Sequence, residues 1–153
     1  MIYFDRVSSG DYLLQWWPRI REGLVVNVEF HGEITAPERV FQSVQAGAAE
    51  LFLIFDDEDY VGFAVTTVEG VGIRHDPYFY LWQVHAPRLF EGERFAQYMA
   101  ELDRLASERG LTRIRMNSTR KGWERAIRHY AEPVLVEYER KVPHGSHTDT
   151  PAA

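Results

Sequence analysis

The segment Tyr78–His85 most restricts what this chain can fold into, because its eight residues are almost wholly apolar. A run of this length and composition is typical of a strand at the centre of a sheet, buried on both faces. Residues 93–109 follow, and their apolar side chains recur at the spacing of an amphipathic helix. Residues 113–117 then predict a short strand. A strand, a helix and a strand in this order form a right-handed crossover, so the two strands should be parallel.

The N-terminal segment predicts a strand and a helix. Ile2–Val7 alternates weakly between apolar and polar residues, which favours a first strand. A helix is expected to begin at Asp11, to be kinked or split at Pro18, and to end at Gly23. Residues 24–32 carry no pattern that decides between helix, strand and loop.

A second helix and a hairpin are predicted between these elements and the central strand. The segment 35–38, Thr-Ala-Pro-Glu, has the pattern of a capping box with proline in the first turn, and the helix should stop near Gly47. Residues 49–55 and 60–68 read as two strands joined by the acidic turn 56–59. Two strands joined by so short a turn should pair antiparallel.

The C-terminal part predicts one more helix, over residues 121–130, and a last strand, over 134–142. The resulting order is β-α-α-β-β-β-α-β-α-β, an α/β protein with a mixed sheet and helices on both faces. We expect one domain over residues 1–142 and a polar, disordered tail over 143–153.

Composition narrows the class of protein. The chain has no cysteine, which excludes a disulfide framework and a cysteine nucleophile. Its net charge of −6 is uneven, because residues 1–87 carry −8 and residues 88–153 carry +2. An acidic chain disfavours a general nucleic-acid binder, and the apolar runs are too short for a membrane span. The N-terminus does not have the pattern of a signal peptide, so a cytoplasmic location is expected.

Six short segments are spread along residues 1–142; in chain order they are Trp17-Pro18, Thr35–Glu38, Leu51–Ile54, Val84–Pro87, Arg120–Arg125 and Ala126–Tyr130. These segments resemble small phage- and prophage-encoded members of the GNAT superfamily of N-acetyltransferases. The predicted order of elements is also similar to that of this superfamily. Each is short, and their common order along the chain carries the resemblance.

The resemblance implies a GNAT-like fold with acetyl-CoA as cofactor. The superfamily holds the pantetheine arm on a splayed central strand, here at Val84 and Ala86, and the pyrophosphate on the loop that follows. The residues expected to serve the loop and its surroundings are Arg88, Gly92, Arg94 and Asn117. The loop departs from the family pattern, because its second glycine is missing and Glu91 and Glu93 would repel phosphate.

The resemblance also implies catalytic residues. Tyr130 matches the tyrosine that protonates the leaving thiolate, and His85, at the end of the central strand, is a candidate base for the acceptor amine. Each side chain has a structural alternative. Tyr130 can simply anchor its helix to the core, and His85 can be a hydrogen-bonded residue at a strand end.

Two functions remain open on the sequence. The first is an acyl-CoA-dependent N-acetyltransferase, encoded by a phage, that acts on a small-molecule or protein amine. The second is a degenerate GNAT-like accessory or virion protein that binds and modulates a host protein. The altered loop favours the second, and the segment Ala126–Tyr130 favours the first. The acceptor, the host target and the oligomeric state are left open.

Overall fold

The computed structural model describes residues 1–31, 33–72, 76–89, 91–117, 125–134 and 139–143. The elements in chain order are β1 (Ile2–Arg6), α1 (Gly10–His31), α2 (Pro37–Gln45), β2 (Glu50–Asp56), β3 (Asp59–Glu69), β4 (Tyr78–His85), α3 (Arg94–Glu108) and β5 (Ile114–Met116).

The five strands form one mixed sheet in the order β1-β2-β3-β4-β5. The first three pairings are antiparallel, and β4 pairs with β5 in parallel across the crossover helix α3. The predicted hairpin, the central strand and the crossover are therefore confirmed. In the described part of the chain, no helix is long and apolar enough to cross a bilayer.

Two apolar clusters cover the two faces of the sheet. One lies between the sheet and α3, and its largest fully buried side chains are Phe52, Phe79 and Tyr98. The other lies between the sheet and α1 with α2, and contains Ile20 and Phe63. The predicted arrangement of helices on both faces is thus observed.

Helix α1 runs through both residues that were expected to interrupt it. Pro18 lies on the exposed side of the helix, where water can satisfy the carbonyl group that loses its partner. Gly23 is buried, and a Cβ atom there would lie 2.5 Å from the Phe63 ring and 2.8 Å from the His85 ring. The predicted end at Gly23 was therefore wrong, because this glycine permits close packing and does not cap the helix.

The predicted capping box at the start of α2 is also wrong. The N-cap is Ala36, with φ −63° and ψ 139°, and no side chain caps the helix. Pro37 occupies the first helical position, so Thr35 lies outside the helix. Glu38 pairs instead with Arg21 of α1, at 3.1 Å.

The C-terminal expectations lie largely outside the described residues. Of the predicted helix 121–130, the described residues 125–127 are helical and 128–130 form a turn. Of the predicted strand, Val134 and residues 139–142 are not in a strand, while 135–138 fall outside the described ranges, as does the tail beyond Pro143.

Candidate active site

The site begins where β4 and β5 part. Their pairing covers three positions, from Phe79 opposite Ile114 to Leu81 opposite Met116. On the other side of β4, Thr66 pairs with Leu81 and Val65 with Gln83, so Trp82 is the extra residue of a bulge. Within the described residues, β4 beyond Leu81 pairs only with β3. Its outer edge therefore has no described strand partner, although the carbonyl oxygens of Val84 and Ala86 already accept hydrogen bonds from Asn27 and from the Leu89 N–H. An extended ligand would pair with the remaining backbone groups of this edge.

A buried polar group from α1 occupies part of this edge. Asn27 is 2% exposed, and its side-chain amide donates to the Val84 carbonyl oxygen at 3.0 Å and to Gln83 Oε1 at 3.2 Å. Both contacts satisfy polar groups that would otherwise be costly to bury. They also fix the end of β4 relative to helix α1.

The same hydrogen bonds lead to a carboxylate. Gln83 Nε2 donates to Glu33 Oε2 at 3.3 Å, and the Glu33 backbone N–H donates to the Asn27 carbonyl oxygen at 3.1 Å. Glu33 is half-buried, just beyond the end of α1. We call Asn27, Gln83 and Glu33 the polar relay. It places a proton acceptor beside the strand end at which the pantetheine arm was expected.

Sequence reasoning missed the polar relay. Its members are 50 and 56 residues apart along the chain, and residues 24–32 had no assigned structure. One signal was present, because Leu13, Ile20 and Leu24 continue to Asn27 at helical spacing. A polar residue on the buried face of a helix often has a fixed partner.

His85 lies at the end of β4, as predicted, with its ring toward α1. Its ring centroid is 6.0 Å from that of Phe63, and the ring packs against the bare backbone of Gly23. The packing fits a positioned strand-end residue, and its role as a base stays a prediction.

Tyr130 lies beside the first turn of α3. Its ring meets the Phe95 ring edge-on, with centroids 5.5 Å apart, and half of the side chain is exposed. The predicted acid is thus near the loop expected to hold the cofactor. Asn117 follows β5 and donates to the Tyr80 hydroxyl oxygen at 3.0 Å, near the point where β4 and β5 part.

The loop between β4 and α3 has a compact backbone. The backbone N–H groups of Leu89, Glu91 and Arg94 donate to the carbonyl oxygens of Ala86, Arg88 and Glu91. These three N–H groups are therefore hydrogen-bonded within the loop. Gly92 has φ 61°, and a Cβ atom there would touch nothing, so its backbone conformation is what requires glycine.

The two arginines of the loop differ in availability. Arg94 is bound by Asp56 at 2.6 Å and by Glu91 at 2.9 Å, and the hydrogen bond with Asp56 is the main cause of its raised pKa. Arg88 is 64% exposed and has a single loose contact with Glu91, at 3.5 Å. Of the predicted anion ligands, Arg88 is ready to bind, whereas Arg94 is held by the β2–β3 turn.

The fold has counterparts among solved structures. An aminoglycoside acetyltransferase from an uncultured soil metagenomic sample matches with a TM-score of 0.60 and 14% identity, over 93% of this chain and 97% of that one. A predicted acetyltransferase from Clostridium acetobutylicum, solved with acetyl-CoA, gives 0.61 and 11%, over 93% and 96%. A ribosomal-protein-alanine N-acetyltransferase from Brucella melitensis gives 0.61 and 15%, over 94% and 100%.

These likenesses confirm the predicted fold class, a GNAT-like α/β fold with a mixed sheet. At such low sequence identity, these likenesses show the fold and do not show the function. No protein-family model matches the chain, and no curated protein matches it.

Proposed function

We propose that this chain is an acyl-CoA-dependent N-acetyltransferase that acts on a primary amine. One observation carries the proposal: the polar relay places the Glu33 carboxylate beside the end of β4, where the strand has lost its β5 partner. A free strand edge suits an extended pantetheine arm, and an adjacent carboxylate suits the acceptor.

The residues of the chain have separate tasks in this reaction. Acetyl-CoA, when bound, supplies the acetyl thioester. The Glu33 carboxylate would take the proton that the acceptor ammonium must lose before its nitrogen can attack. The N–C bond would then form and the C–S bond break, and the Tyr130 hydroxyl would give a proton to the leaving sulfur. The nitrogen loses its second proton as the amide forms, and this proton, passed through water, restores the Tyr130 hydroxyl. An ammonium and a thioester thus give an amide, a thiol and the one proton that Glu33 takes.

The fit to the cofactor is uneven. The β4 edge and the exposed Arg88 favour binding, whereas Glu91 and Glu93 place negative charge near the expected phosphates. Arg94 can join the phosphate site only by leaving Asp56. We therefore expect weaker binding than a loop with a second glycine would give.

Isothermal titration calorimetry with acetyl-CoA and CoA tests the proposal. We expect a Kd in the micromolar range, and about a tenfold loss or more in Arg88→Glu, because that change replaces a phosphate ligand by a repelling charge. Arg125→Glu, an exposed arginine outside the loop, is the matched control. Binding in the wild type would justify a screen of amines, including aminoglycosides and peptides with N-terminal alanine. No heat at millimolar ligand would end the enzyme proposal.

The second function, binding to a host protein, is favoured by the closed state of the loop. Three of its N–H groups and Arg94 are engaged within the protein, as expected of a site that no longer holds phosphate. Under this reading, substitutions at the acidic turn 56–59 would abolish function while Arg88→Glu would be silent. Trp123, the other expected anchor, lies outside the described residues. A phage origin and a cytoplasmic or virion location stay inferences from the sequence alone.

A further inference from the structure

A second cleft lies on the α1 side of the sheet, at the end where β2 turns into β3. It is a groove open to solvent, lined mainly by polar atoms, with a volume of about 680 Å³. Its walls come from α1, from the β2–β3 hairpin and from the loop after β4. We call it the hairpin cleft, and no part of the polar relay lines it.

The hairpin cleft has a layer of aromatic rings on one wall. The Trp16 and Tyr60 ring centroids are 4.9 Å apart, and Phe55 meets both rings edge-on at 6.2 and 6.1 Å. The Tyr60 phenol is uncharged at neutral pH, as an ordinary tyrosine is, and burial raises its pKa further, to about 12. Because the Arg19 guanidinium covers the Tyr60 ring and Phe55 stacks on Tyr3, the ring left for a planar base is that of Trp16.

Two arginines of the hairpin cleft are available to an anion. The Arg19 guanidinium lies 4.1 Å from the Tyr60 ring centroid and 5.8 Å from that of Trp16. In the part of the chain that the structure describes, no carboxylate lies within ion-pair distance of Arg19. Arg88 lines the same cleft and is largely exposed. Guanidinium groups bind phosphate oxygens in pairs, and charge assistance strengthens these bonds.

The acidic residues of the hairpin cleft restrict the ligand further. Glu58 and Asp59 line it as well, so an anion with no other group would meet repulsion as well as attraction. A purine nucleotide has an exocyclic amine or ring N–H that can donate a hydrogen bond to a carboxylate, and a phosphate that arginine can bind. We propose that the hairpin cleft is a purine nucleotide site, with the base against Trp16 and the phosphate at Arg19 and Arg88.

The nucleotide has two chemical sources. It can be the adenosine 3′-phosphate end of CoA itself, since Arg88 belongs to the loop after β4, or a separate nucleotide. With CoA as the source, the hairpin cleft rests on the proposed function; with a separate nucleotide, it is independent of acetyl transfer. The two sources differ in whether CoA and a free nucleotide compete.

Calorimetry with adenosine 3′,5′-bisphosphate tests the hairpin cleft. We expect binding to the wild type, and a loss of about tenfold or more in Arg19→Gln, because one charge-assisted contact disappears. Arg21→Gln on the same helix, whose arginine pairs with Glu38 outside the cleft, should bind as the wild type does. Arg88→Gln is a second variant, and thermal unfolding checks that all variants fold.

The outcomes separate the two proposals. If CoA displaces the bisphosphate, and 3′-dephospho-CoA binds less tightly than CoA, the source is CoA. If the bisphosphate binds but CoA does not displace it, the hairpin cleft takes a separate nucleotide. If CoA binds, with equal affinity in Arg19→Gln, and the bisphosphate does not, the cofactor proposal stands and the hairpin cleft proposal is overturned. Equal loss in Arg19→Gln and Arg21→Gln would overturn it too.

Discussion

Single residues decide how closely α1 approaches the sheet. Gly23 is the clearest case, because its bare backbone faces the rings of Phe63 and His85. The sequence showed a glycine after an apolar helical pattern, and that pattern is equally typical of a helix end. Only the partner side chains, 40 and more residues away, distinguish a packing glycine from a capping one.

Gly23→Ala should destabilise the protein by about 1–3 kcal/mol, because the new methyl group must displace the Phe63 or His85 ring. The free energy of urea unfolding measures this cost. Gly10→Ala is the control, since a Cβ atom there touches nothing at the start of the same helix. Equal stability of the two variants would mean that α1 can shift away from the sheet without loss.

A second single-residue change, Glu33→Gln, tests the proposed proton acceptor. The amide keeps the shape of the side chain but cannot take a proton, so kcat should fall by roughly 10²- to 10⁴-fold while CoA affinity is unchanged. The measurement is CoA release with the best amine from the screen, between pH 6 and 9. Glu29→Gln, an exposed change in the last turn of α1, should keep the full rate.

If Glu33→Gln keeps the full rate, Glu33 is not the base, and His85 is the next candidate. A lost rate with a lost CoA affinity would point to a structural role of the polar relay. The two results are distinguishable because binding and turnover are measured separately.

At the scale of elements, long and strongly patterned segments were predictable. The central strand was predicted at the bounds that β4 has, and α3 within one residue at each end. The polar relay and the Arg94–Asp56 ion pair were not predictable, because each joins elements 38 or more residues apart with no local pattern. The strand predicted over 134–142 failed in its described residues, where apolar alternation alone was the signal.

Ion pairs between elements make stability depend on pH. Glu50 of β2 accepts two hydrogen bonds from Arg109 at the end of α3, at 2.8 and 2.7 Å. The hydrogen bond with Arg109 is the main cause of the lowered pKa of Glu50. A carboxyl group whose pKa is lowered by folding stabilises the protein above its unfolded pKa. This contribution is lost as pH falls through the folded value.

We therefore expect Glu50→Gln to lose about 1 kcal/mol of stability at pH 7, and to show a smaller further loss between pH 5 and pH 3 than the wild type. The midpoints of urea unfolding at pH 7, 5 and 3 measure these changes. Asp103→Asn, an exposed change on α3, should follow the wild-type pH dependence. A Glu50→Gln variant that matches the wild type at every pH would show that the pair contributes nothing.

At the scale of the whole molecule, the acidic and basic parts of the chain supply different groups to the proposed sites, apart from Arg19, which lies in the acidic part. The acidic part, residues 1–87, supplies both carboxylates of the hairpin cleft and Glu33. The part from Arg88 onward supplies the loop arginines and Tyr130. A site built where the two parts meet can hold an anionic cofactor and a cationic acceptor side by side, which net charge alone does not reveal.

The hydrogen bond from Asn27 bears on when the end of β4 takes its final shape. In most sheets the carbonyl of a strand is satisfied by the next strand, but here a helix side chain satisfies Val84. The Val84 carbonyl oxygen is therefore satisfied without a neighbouring strand, and the end of β4 keeps its shape before any ligand arrives. The free-energy cost of ordering this strand end is met during folding. Less of the binding free energy is therefore lost to rearrangement when a ligand binds.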